Sequence, residues 1–130
     1  MNMAGMTLVS ALAILCAGCA DGTAIATGNR YAPAPAAAVR LYSEPPRANY
    51  EVVGLVQAES STGASAQESM DYALDELKKQ AASLGANGVL LTGDGVRATG
   101  RNTTYDKRAR HATSSDVRAQ FVEGKAILVK

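Results

Sequence analysis

The thiol of Cys19 is the side chain with the clearest chemistry in this sequence. It closes the run Thr7-Leu8-Val9-Ser10-Ala11-Leu12-Ala13-Ile14-Leu15-Cys16-Ala17-Gly18. An apolar stretch of this length falls short of the roughly 20 residues that a membrane helix needs, and matches the core of an export signal. Two small residues followed by cysteine give it the form of a bacterial lipoprotein signal. On that reading the sulfur of Cys19 takes a diacylglycerol and residues 1–18 are removed. Two departures accompany the fit. Cys16 stands where Leu is usual, and Met1-Asn2-Met3-Ala4-Gly5-Met6 has no Lys or Arg. The competing readings are an ordinary secretory signal cut after Ala20, an uncleaved anchor and a buried core helix. The helix is disfavoured, because the run has no cap and leads into a Gly/Ala/Pro stretch.

Other reactive side chains are sparse. Cys16 and Cys19 are the two cysteines of the chain and His111 its one histidine. A lipid-blocked thiol and one imidazole do not make a typical zinc set, so no metal and no cofactor is expected. No nucleophile elbow and no HExxH pair is present, and no catalytic residue is assigned. Gly93-Asp94-Gly95-Val96-Arg97-Ala98 matches a loose dinucleotide-loop pattern. No apolar-periodic helix follows it to offer a phosphate its N-terminus, so a strand kink is the expectation. Asn102-Thr103-Thr104 spells a glycosylation acceptor, which a bacterial lipoprotein would not normally use.

Charge supplies a binding candidate. Residues 1–96 carry five basic side chains against nine acidic, a balance of −4, and residues 97–130 carry eight against three, a balance of +5. Arg101, Lys107, Arg108 and Arg110 concentrate the excess in a polar stretch. They fit an anionic lipid surface, lipopolysaccharide phosphates or an acidic envelope protein; nucleic acid is excluded for an exported chain. A solvated loop without a partner is the alternative.

The elements that must position these residues follow from periodicity. Residues 19–38, rich in Ala and Pro, read as an extended tether reaching up to about 50 Å from the lipid. The globular part is expected to start at Val39. Val39–Tyr42 and Tyr50–Ala58 read as strands. Ser65 and Glu68 have capping-box spacing, and Met70, Ala73, Leu74, Leu77, Ala81 and Leu84 form a helical stripe that ends at Gly85. Asn87–Ala98 and Val117–Lys130 read as strands around a basic loop, 99–116. The expected fold is α+β: a small mixed sheet of about four strands, in the sequence order β-β-α-β-β, with one long amphipathic helix on one face. The domains are then a signal, 1–18, a lipidated cysteine with its tether, 19–38, and a globular domain, 39–130.

Leu84-Gly85-Ala86-Asn87-Gly88-Val89-Leu90-Leu91 after an amphipathic helix, with Val53-Gly54-Leu55-Val56 and Gly124-Lys125-Ala126-Ile127, resembles the RcsF-like family, the outer-membrane stress-sensor lipoproteins of the Rcs phosphorelay. It is also similar to the YbjQ-type small domains. The resemblance covers roughly Leu41 to Val129 and implies a non-enzymatic, lipid-anchored envelope protein that binds or senses. The family's disulfides have no counterpart cysteines here. Ala20, not Asp, follows Cys19, which favours sorting to the outer membrane. The other expectations are a structural or oligomer-forming envelope module, which the YbjQ-type likeness suggests, and a small envelope enzyme.

Overall fold

A computed structural model describes residues 20–130, apart from the side chain of Asn102. The expected signal, 1–18, and the lipidation candidate Cys19 lie outside the described residues. The strands are β1 (Ala20–Ala26), β2 (Arg40–Tyr42), β3 (Tyr50–Ser60), β4 (Gly88–Asp106) and β5 (His111–Val129), with the helix α1 (Ala66–Ser83) between β3 and β4. They form one five-stranded sheet in the order β1-β3-β5-β4-β2. All neighbours are antiparallel except β2 and β4. Both β3 and β4 pair antiparallel with β5, so they run the same way, and α1 is the crossover between them.

This overturns the expected small mixed sheet of about four strands in the order β-β-α-β-β. The protein is mostly sheet, with an added edge strand and two 19-residue strands. Residues 20–38 are the first correction. They do not form a tether: β1 pairs with β3 from Ala20↔Ser60 to Ala26↔Gly54. Small side chains hide this strand in the sequence. Ala and Gly carry no hydrophobic period, yet small residues are what a close helix requires. A Cβ on Gly22 would come within 2.8 Å of Glu76 Cγ and Gln80 Cγ on α1. After β1 the chain straps the end of α1. The N–H groups of Thr27 and Gly28 donate to the Val53 carbonyl, and that of Ala34 donates to the Ala82 carbonyl at 2.9 Å. A 3-10 turn at Ala36–Ala38 then delivers buried Val39 to the core. The expected domain boundary at Val39 therefore falls inside the fold.

The second correction concerns residues 99–116, expected as a loop. Here β4 and β5 continue as a two-stranded ribbon past the other strands, with paired residues out to Asp106↔His111. Both faces of this ribbon are exposed, so its sequence shows no apolar alternation. Thr103, Thr104 and Thr113 suit the pleat through β-branching. The Thr103 and Ser114 hydroxyls meet at 2.9 Å across it.

The helix forms where its sequence signals put it. The Ser65 hydroxyl accepts from the Glu68 N–H at 3.2 Å, while the Glu68 carboxylate accepts from the Ala64 N–H at 3.0 Å. At the other end, Gly85 N–H donates to the Ala82 carbonyl and Ala86 N–H to the Ala81 carbonyl. This is the paired closure that a residue in the left-handed region permits, and Gly85 has φ of 76°. α1 lies across β3, β1 and β5. Leu77, Ile127, Val53, Val89 and Val122 are the largest fully buried side chains, and Ala73, Ala81, Ala86 and Ala126 let the layers close. The core is aliphatic, as a chain without Trp and with one Phe requires.

Asn87 ties the end of β5 to this core. Its side-chain amide donates to the Val129 carbonyl at 3.0 Å, and its side-chain oxygen accepts from the Val129 N–H at 2.7 Å. Asn87→Ala is expected to cost about 1–2 kcal/mol, because two half-buried backbone groups lose their partners. A lower urea midpoint at unchanged slope is the expected reading.

Candidate functional site

The row Ala20–Ser60–Gln120–Val96 crosses four strands where β1 begins and β3 ends. Beyond it only β4 and β5 continue. From Val96 to Asp106 the ribbon extends about 30 Å at the usual rise of a strand. It carries six basic side chains against two acidic ones between residues 97 and 118.

Its root is fastened. The Arg97 guanidinium lies 4.5 Å from the centre of the Phe121 ring and 3.8 Å from the Glu59 carboxylate. Such a cation over an aromatic face contributes on the order of 0.5–1 kcal/mol at an exposed site. Phe121 rests on Gly95, where an added Cβ would approach its ring to 3.0 Å. Just outward, register shifts between Ala98 and Gly100, so Thr99 is the extra residue of a bulge. Bulges bend a strand and increase its twist.

The four basic positions singled out from the sequence do not act as one cluster. Arg101 sits partway along the ribbon, 3.3 Å from Asp116 on the opposite strand. Lys107, Arg108 and Arg110 share the end turn. There the Asp106 carboxylate accepts from the backbone N–H of Arg108 at 2.8 Å and of Ala109 at 3.2 Å. Arg110 adopts a φ of 55° to close the turn. Among the described residues, Lys107, Arg108, Arg110 and Arg118 form no ion pair. Tyr105, 59 % exposed, sits beside the tip, and its one signal in the sequence is an aromatic next to a basic run.

The remaining candidates fall apart spatially. His111 opens β5 at the tip, exposed. Gly93-Asp94-Gly95 lies within β4, with no helix after it. No three His, Cys, Asp or Glu side chains converge to hold a metal among the described residues. The Tyr31 hydroxyl donates to the Glu51 carboxylate and the Tyr72 hydroxyl to Glu68. Those hydrogen bonds are the main cause of the raised pKa of both phenols. A depression of about 130 Å³ on the sheet face opposite α1 is lined by Asp21, Thr23, Gln57, Glu59, Arg97 and Phe121. Its one cation is the Arg97 already held by Glu59 and Phe121. No helix among the described residues is long and apolar enough to cross a membrane.

No family profile and no curated protein matches the sequence. Among solved structures, the fold is similar to the crystal structure, in the orthorhombic form, of a Francisella virulence factor, FvfA. The TM-score is 0.53, over 82 % of this chain and 96 % of that one, at 18 % identity. At that identity the likeness concerns the fold alone.

Proposed function

We propose that this chain is a non-enzymatic, lipid-anchored protein of the bacterial cell envelope, held at the outer membrane through Cys19, that acts by binding an anionic partner with its basic ribbon. A stress-sensing role like that of the RcsF-like family is the form this binding takes. The observation that carries the reading is the ribbon tip. Three cations without an ion-pair partner among the described residues, Lys107, Arg108 and Arg110, are held together at the end of a projection. That projection contributes nothing to the core. Side chains held out from a body they do not stabilise are available for a partner. The run Thr7–Cys19 supplies the anchor chemistry.

The anchor has a direct test. Cys19→Ala removes the acylated sulfur, and two or more acyl chains are what stable membrane attachment needs. The variant is expected to leave the membrane pellet for the soluble fraction while the domain keeps its cooperative melt. A variant that pellets like the unaltered protein overturns the lipid anchor.

A further inference from the structure

Resting on that lipid-anchor reading, we propose that the β4–β5 ribbon lies along the phosphate-bearing headgroups of the same membrane that holds Cys19. The protein is then docked at two points rather than suspended from one.

Strand direction is the first argument. The ribbon leaves the sheet past the row that contains Ala20, and the chain leading back to Cys19 departs from that same end. The second is the lack of slack. Ala20 is already paired with Ser60, and consecutive Cα atoms are about 3.8 Å apart. An acyl anchor on Cys19 therefore holds this end of the sheet at the bilayer surface. The ribbon reaches about 30 Å past that end, towards the membrane plane.

It cannot enter the hydrocarbon. Both of its faces are polar, and beyond the sheet each of its strands has one partner, which leaves two rows of unpaired backbone groups. Hydrocarbon tolerates neither charged side chains nor open strand edges. The ribbon must turn along the interface, and the bulge at Thr99 bends it at its root. A Cβ on Gly100 would have nothing within 4 Å, so the ribbon is open on that side at its root.

Charge selects the headgroup layer. Lys107, Arg108, Arg110 and Arg118 meet anionic phosphates, and Tyr105 is of the type enriched at membrane interfaces. The exposed acids Asp71 and Asp75 lie on α1. Lys79 is exposed beside them, and Asp21 and Glu59 lie on the opposite face, so neither face of the body carries the excess of cations that draws the ribbon tip to an anionic surface.

Fluorescence of the lipidated full chain tests this. Ala109→Cys places a free thiol in the tip turn without removing the backbone N–H that Asp106 accepts, and Asp75→Cys places one on α1. Each is labelled with an environment-sensitive dye and bound to anionic phospholipid vesicles bearing a headgroup nitroxide. The tip dye is expected to be quenched and the helix dye not. Lys107→Ser, Arg108→Ser and Arg110→Ser together should weaken the docked state by on the order of a hundredfold, and raising salt to about 1 M should do likewise. Protein that floats with vesicles while its tip dye stays bright overturns the inference and leaves the lipid anchor standing; protein that does not float overturns the anchor itself. Quenching that survives the triple substitution also overturns it. So does a tip that crosslinks in intact cells to protein alone.

Discussion

A chain that begins at Val39 loses its cooperative thermal transition, whereas one that begins at Ala20 retains it. The Ala/Pro composition of residues 20–38 suggests that they can be removed without consequence, and the sheet requires the opposite. Deleting them strips β1 from β3 along the whole register Ala20↔Ser60 to Ala26↔Gly54. The Val53 carbonyl loses both its donors, and the Ala82 carbonyl loses the Ala34 N–H. Ala24 and Ala36 no longer cover the core, and β3 becomes a long unpaired edge, which templates aggregation. With a total stability on the order of 5–15 kcal/mol for a domain of this kind, removing an edge strand and a strap consumes most of it. Hydrogen exchange supplies the second readout. In the longer chain, β3 amides exchange slowly from both sides of the strand. A Val39-start chain with the same melting temperature shows that β1 contributes no stability.

Leu77→Ala is expected to destabilise the protein by about 3 kcal/mol, within the usual range of 2–5 kcal/mol for such a truncation. Leu77 is fully buried near the middle of α1, among a small set of large buried side chains. Its neighbours one turn away on the same face are Ala73 and Ala81. They are too short to fill the void, so the cavity stays open. The corresponding fall in melting temperature is roughly 10–20 °C. In urea the midpoint should fall with little change in slope. Because the ribbon lies outside this core, tip-dye quenching on anionic vesicles should be unaffected below the new melting temperature. A loss under 1 kcal/mol means that α1 and the sheet do not close over Leu77 as described.

The helix was legible in the sequence because its signals are local. Ser65 caps it, Glu68 reaches back, Leu77 and its neighbours form the stripe, and Gly85 stops it; each acts within about one turn. The strand at Tyr50–Ala58 and the start of β4 were legible because burial makes them rich in Val and Leu. The sheet as a whole was misread for two different reasons. In β1, the residues facing α1 are Ala20, Gly22, Ala24 and Ala26, whose smallness serves a helix fixed only by the tertiary fold. In the ribbon, no face is buried, so no alternation marks the strands. The basic site was legible as a set of residues and not as an arrangement. Register assigns Arg101 to Asp116 and Arg97 to Glu59 and Phe121, and it leaves Lys107, Arg108 and Arg110 at the tip. Distances of that kind, between residues 15 or more apart in sequence, are set by strand pairing.

The pairing of β1 with β3 also determines how the molecule bears mechanical load. Tension applied through residue 19 enters at Ala20 and runs along the axis of β1. Its partner β3 is anchored on its far side to β5. A pull directed along that axis, with β5 holding β3 in place, loads the ladder in shear, so that its backbone bonds share the force. A seven-residue edge strand loaded in shear is a stiff joint, and a pull on the anchor moves the domain as one piece.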